Sequence, residues 1–226
     1  MAECKYCGTK GWLNKVDSNG LCSRCEIVYL PIITNRSLQV IESGQIISKS
    51  KNISTILTRI RFAIQCLEEL EVYHLKGIPT ISSPPRNIIK ELEIERSKVL
   101  DEFILEQKTL TRAAAKNAST PASKLGGYKK ALGRMENLLI QVPDLQNLKL
   151  ALEKIRSERD ILRAKMSKDK ADIWISKGKV EKALEILIDA KNELTQNKTL
   201  DIDRQETIAV ITKMIEETRT INNIKH

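Results

Sequence analysis

Cys4-Lys5-Tyr6-Cys7 and Cys22-Ser23-Arg24-Cys25 stand in the first 25 residues as two Cys-x-x-Cys pairs, separated by residues 8 to 21. Two such pairs can close a tetrahedral thiolate cage around one Zn²⁺. A cage filled by four protein sulfurs leaves no position for an activated water, so the spacing predicts a structural ion rather than a catalytic one. Gly8 suits the tight knuckle after the first pair. Trp12 to Val16 reads as a short strand, and Asp17-Ser18-Asn19-Gly20 carries the Asn-Gly turn signal, so a hairpin brings the pairs together. A core of fewer than ~70 residues rarely supplies more than ~3–5 kcal/mol, whereas structural zinc supplies about 10–16 kcal/mol in finger peptides near pH 7. A module of some thirty residues therefore needs the ion unless the helical body supports it. From Glu26 onward apolar residues recur at helical spacing, interrupted by Pro31, which puts Cys22 and Cys25 at or just before a helix start.

The arrangement resembles the zinc-ribbon and treble-clef cassettes found at the N-termini of many bacterial and phage proteins. Cys4, Cys7, Cys22 and Cys25 carry the resemblance, with Gly8 and the Asn19-Gly20 turn. It covers residues 4 to about 30. Cassettes of that group bind protein, DNA or RNA, so the resemblance implies the metal and leaves the partner open.

Behind the cysteines the chain reads as helix. Ile53, Leu57, Ile60, Ile64 and Leu67 alternate at spacings of four and three, predicting an amphipathic helix over about 50–75. Lys76-Gly77-Ile78-Pro79 and Ser82-Ser83-Pro84-Pro85 then make a loop. A long helix follows over about 87–115, with Ile88, Leu92, Val99, Phe103 and Leu110 on one face, and the short connection suggests an antiparallel hairpin. Thr120 is placed to cap a new helix with Pro121 at its first position. Gly126-Gly127 is expected to divide that piece, and Asp144 to cap the next helix after Pro143. Leu145, Leu148, Leu152, Ile155, Leu162 and Met166 form a coiled-coil-like seam that can support self-association; Arg159 is its one position that is not apolar. A final helix falls at about 202–222, with Ile208, Ile211 and Ile215.

Two stretches echo one another. Gly126-Gly127-Tyr128-Lys129-Lys130-Ala131-Leu132 is answered by Gly178-Lys179-Val180-Glu181-Lys182-Ala183-Leu184. Both resemble the turn and second helix of a tetratricopeptide hairpin, with Ala171 and Trp174 suiting the helix before the second copy. The offset of 52 residues differs from the ~34 of a regular array. The fold class expected is mostly α: a small N-terminal zinc ribbon followed by an irregular stack of antiparallel helical hairpins. The divisions expected are 1–30 for the module, 31–116 for a long hairpin and 117–226 for the tetratricopeptide-like region.

Composition narrows the functional classes. With 41% hydrophobic and 30% charged residues the chain is globular rather than disordered. The longest apolar run, Ile27 to Ile33, has seven residues and contains Pro31, so no membrane span is expected. No signal-peptide core follows Met1, and five cysteines without an export signal point to reduced thiols in a cytoplasm. The net charge of +9 is uneven: residues 113–170 hold thirteen basic against six acidic residues. Such a block suits an acidic protein or a nucleic acid, and solvated lysine-rich helix faces also produce it. Lys5, Lys10, Lys15 and Arg24 surround the cysteines, where Tyr6 and Trp12 can stack on bases or close the module's apolar side. Lys129, Lys130 and Arg134 mark one basic helix face, and Arg156, Arg159 and Arg163 another. Cys66 reads as a buried structural cysteine. No phosphate loop, nucleophile elbow or metalloprotease helix occurs. The expected function is a non-enzymatic zinc-binding helical adaptor for a protein partner. DNA or RNA binding through the module and the 113–170 block is the alternative, and self-association through the Leu145–Met166 seam a second one.

Overall fold

The computed structural model describes residues 3–10, 15–196 and 202–224. Seven helices make up most of them: α1 (Ser23–Lys49), α2 (Ile53–His74), α3 (Pro85–Asn117), α4 (Pro121–Gln141), α5 (Gln146–Ser176), α6 (Val180–Gln196) and α7 (Ile202–Ile224). The fold is mostly α, as its periodicity requires. Among the described residues, extended pairing is limited to two isolated antiparallel bridges, Glu3 with Lys10 and Val16 with Cys22. No helix among these residues is long and apolar enough to cross a membrane. The chain separates into two compact units, Met1–Phe103 and Ile104–His226, and the division falls within α3.

In the first unit α1 packs along α2. The interruption expected at Pro31 does not occur: α1 continues through it. A helix-interior proline removes the bond to the carbonyl four residues earlier. Here that carbonyl belongs to Ile27, and Ile27 and Pro31 are both on the exposed side, where water can take over. The Asn52 side chain caps α2 by accepting from the amides of Ser54 and Thr55. Leu57, Ile60, Ala63, Leu67 and Leu70 form its buried stripe, joined by Cys66, whose thiol is pushed up by burial. Arg36 of α1 donates to Glu69 of α2 at 2.7 Å across the pair.

In the second unit α5 is central, packing against α4, α6 and α7. Thr120 caps α4 in a reciprocal box with Ser123, and Pro121 takes the first turn, as read from the sequence. Leu145, rather than Asp144, holds the cap position of α5. Ala171 clusters with Ala183, and Ala164 with Ala190, so small side chains pair at matching distances either side of the α5–α6 turn. Without long side chains at those crossings the two helices can approach closely. Leu110 is exposed on α3, whose buried stripe runs instead through Leu100, Ile104, Gln107 and Thr111, one residue out of register with it.

The two glycine echoes fold differently. Gly178 has φ +71° and makes the α5–α6 turn, its left-handed backbone being a region that favours glycine. Gly126-Gly127 does not divide its segment, because α4 runs unbroken through both. A Cβ on Gly127 would collide with the Ala114 side chain of α3, whereas one on Gly133 or Gly126 would meet open space. Neighbouring substitutions should therefore have opposite signs. Gly126→Ala should stabilise the protein by roughly 0.5–1 kcal/mol through reduced backbone entropy. Gly127→Ala should destabilise it by about 1–3 kcal/mol through overpacking. Urea unfolding followed by circular dichroism checks both, and two shifts of the same sign would contradict the close α3–α4 approach.

Candidate metal centre

Local chain geometry delivers the four sulfurs to one point. The first pair lies on a knuckle in which the Gly8 amide donates to the Cys4 carbonyl at 2.8 Å, with Gly8 at φ +72°. The second pair is reached through a turn organised by Asp17. Its carboxylate accepts from the amides of Asn19 and Leu21 and from the Asn19 side chain. Burial raises the pKa of this carboxyl, but those donors outweigh it and hold Asp17 below the usual carboxylate range. The turn closes at Gly20, whose φ of +85° places it in the left-handed region. Cys22 is the N-cap of α1 and Cys25 lies in its first turn, so both sulfurs stand at the positive end of the helix. The Lys5 amide donates to the Gly20 carbonyl at 2.9 Å and ties the two halves together.

Cys4, Cys7, Cys22 and Cys25 bring their sulfurs within 4.8 Å of one another, a cluster that can hold a metal ion. Cys4, Cys22 and Cys25 are buried, and Cys7 is exposed. Their acidities differ. Burial opposes ionisation of Cys4, yet donated amides of Cys7, Cys22 and Tyr6 bring it down to about 6. The hydroxyl and amide of Thr9 lower Cys7, the hydroxyl standing 3.0 Å from the sulfur. Burial and the neighbouring sulfurs push Cys25 up to about 12. One part of the cluster thus favours thiolate before any metal arrives, while Cys25 holds its proton.

The cluster is continuous with the core of its unit rather than an appendage. Cys4, Leu21, Cys22 and Cys25 pack with Ile33 of α1, Leu70 of α2 and Ile78 of the following loop. Tyr6 stands against Tyr29 and Tyr73, ring centroids 3.8 and 6.0 Å away, and the Lys76 ammonium sits 4.1 Å over its ring. Lys5 donates to the Gly77 carbonyl and Lys76 to the Tyr6 carbonyl, two reciprocal links between the knuckle and the end of α2.

The other residues singled out from sequence are dispersed. Lys10 pairs with Glu3 at 3.0 Å, an exposed bridge worth about 0–1 kcal/mol. Lys15 and Arg24 are exposed, and Trp12 lies outside the described residues. Lys129 and Lys130 are exposed on α4, and Arg134 reaches Glu106 of α3 at 3.3 Å. The three arginines of α5 each meet an acid: Arg156 with Glu136 of α4, Arg159 with the adjacent Asp160, and Arg163 with Glu193 of α6. Leu145, Leu148, Leu152 and Ile155 of the expected seam are buried within the second unit, leaving Leu162 and Met166 half-buried.

Two features were not read from the sequence. Ile27, Leu38 and Ile41 of α1 are 77%, 54% and 53% exposed on one side of that helix. Their spacing is the signal that could have found them, though periodicity does not say which side of a helix meets water. Trp174 carries three ammonium groups near its ring, Lys177 at 5.5 Å, Lys179 at 5.1 Å and Lys182 at 5.4 Å. The α5–α6 turn assembles that set, so no single helical spacing displays it. No family model matches this chain, and no curated protein or solved structure is significantly similar to it.

Proposed function

We propose that the chain is a non-enzymatic, zinc-stabilised helical adaptor that binds a protein partner. Four sulfur donors suit Zn²⁺, and a tetrahedron with metal–sulfur bonds of about 2.3 Å has edges of about 3.8 Å. The Cys7 and Cys22 sulfurs are 3.8 Å apart, and the others need only a modest contraction to complete the shell. A full sulfur shell makes zinc a structural ion that pins the start of α1. The observation that carries the reading is the outer face of that same helix, where Ile27, Pro31, Leu38 and Ile41 are exposed. A shallow, open depression lies along it, lined by Glu26, Leu30 and Thr34 among others. Exposed apolar surface of this kind marks a contact with another macromolecule.

Affinity capture with the full chain, with and without nuclease, tests the reading alongside elemental analysis. About one zinc per chain and a protein partner at fixed stoichiometry are expected. The double variant Leu38→Asp, Ile41→Asp should keep its zinc and lose the partner. A partner retained by that variant, or none recovered by the parent chain, counts against the adaptor.

Trp174 and its three lysines favour a second reading, single-stranded nucleic acid stacked on an aromatic within a basic surround. Tryptophan fluorescence should then be quenched by an oligonucleotide at low salt and recover steeply at moderate salt. Unchanged emission at low salt would remove this alternative.

A further inference from the structure

A groove of about 700 Å³ runs beside α4 in the second unit, within the size range of ligand sites. Leu125 and Leu132 give it an apolar lining, and Gly126 and Gly133, two turns apart on α4, leave space where side chains would stand. Lys129, Arg159, Arg163 and Glu136 line it, and Arg163 is already paired with Glu193 of α6, so Lys129 and Arg159 carry its positive character. Arg156 already binds Glu136, and Lys129 has no ion-pair partner among the described residues. Asp160 serves two guanidiniums, Arg159 and the buried Arg204, so that cluster keeps a positive excess.

We propose that the groove lined by Leu125, Lys129, Leu132 and Arg159 docks an acidic segment of a protein partner, in which Asp or Glu alternates with Leu-like side chains. The proposal rests on the adaptor reading and names the chemistry of what is adapted. Charge complementarity sets the acidic requirement, and the leucine and glycine lining sets the apolar one. The same lining disfavours nucleic acid, since no aromatic ring lines the groove for a base to stack on, whereas its leucines suit apolar side chains.

The full zinc-loaded chain should be applied to an array of short peptides in which acidic content and leucine content vary independently. Binding is expected only where both are high. By fluorescence anisotropy with the best array peptide, Lys129→Glu and Gly133→Leu should each weaken binding by at least about tenfold. Gly133→Leu adds helix propensity at a position with open space, so its melting temperature should not fall below that of the parent. Unchanged affinity in both variants overturns the proposal. Equal binding of uncharged leucine peptides overturns it, and so does displacement of the peptide by an oligonucleotide of equal charge. If the parent captures a protein that Leu38→Asp, Ile41→Asp loses but no acidic peptide binds, the groove assignment fails and the adaptor stands. If the parent captures no protein at all, the adaptor reading fails with it.

Discussion

Replacing Cys25 with serine should reduce bound zinc from about one ion per chain to nearly none and selectively unfold the segments that carry the four cysteines, residues 3–10 and 15–30. Structural zinc contributes about 10–16 kcal/mol in isolated finger peptides. Few other terms in this part of the chain approach that size. Buried cluster members such as Leu21 and Ile33 offer about 1.5–3 kcal/mol each when fully buried, and their neighbours in the cluster are the ligands themselves. The loss should therefore propagate to Tyr6 and Tyr29 and to the first turns of α1, where Cys22 and Cys25 reside. Hydrogen exchange should show faster exchange there and unchanged protection in α5 and α6. Chelator treatment of the parent should reproduce the pattern. Full zinc retention in the serine variant would refute the four-thiolate assignment.

The acidities give this prediction a pH arm. Cys4 at about 6 is mostly thiolate at pH 7, whereas Cys25 at about 12 must lose a proton for metal to bind. Zinc uptake at pH 7 should thus release protons, but fewer than four per ion. The complex should weaken as pH falls, because protons compete for the same sulfurs. Uptake without proton release would contradict the ionisation assigned to Cys25.

Asp160→Ala should cost about 3–5 kcal/mol, which for a unit of this size lowers the melting temperature by roughly 10–20 °C. Arg204 is 2% exposed and holds three elements together. Its Nε donates to the Leu194 carbonyl of α6 at 2.7 Å, its Nη1 to Ser157 of α5 at 3.3 Å, and its Nη2 lies 3.6 Å from the Asp160 carboxylate. Removing the carboxylate leaves a guanidinium in the interior without its countercharge, which costs more than the attraction alone. Arg204→Met in the same background should recover much of the loss, because an apolar side chain needs no countercharge there. Thermal unfolding of the two single variants and the double variant closes the cycle. Additive losses would show that Asp160 and Arg204 do not act as a pair.

Features set by chain neighbours were legible before any coordinates. The ligand set follows from residue type and spacing, because a tetrahedral sulfur shell can be recognised from two knuckles and a turn. Helix bounds at Thr120–Pro121 and the stripe through Leu57, Ile60 and Leu67 follow from capping and a 3.6-residue period. Identical local signals had different outcomes where distant residues chose. Gly178 became a turn, while Gly126-Gly127 stayed within α4 with Gly127 close against Ala114. Tyr6 read as an apolar wall of the module with base stacking as the alternative, and it packs with Tyr29, Tyr73 and Lys76. Pro31 read as an interruption, yet α1 runs through it because the lost hydrogen bond falls on the water-facing side.

The sequence by itself determined which four side chains can hold a metal and where most helices run, since both depend on residues within a few positions of one another. The tertiary structure alone decided that the cysteine cluster is fused to the α1–α2 core, that Arg204 reaches Asp160, and which faces of α1 and α4 stay open. Those outcomes depend on pairings between residues far apart in the chain, and one helix face carries no local signal for the neighbour that will cover it.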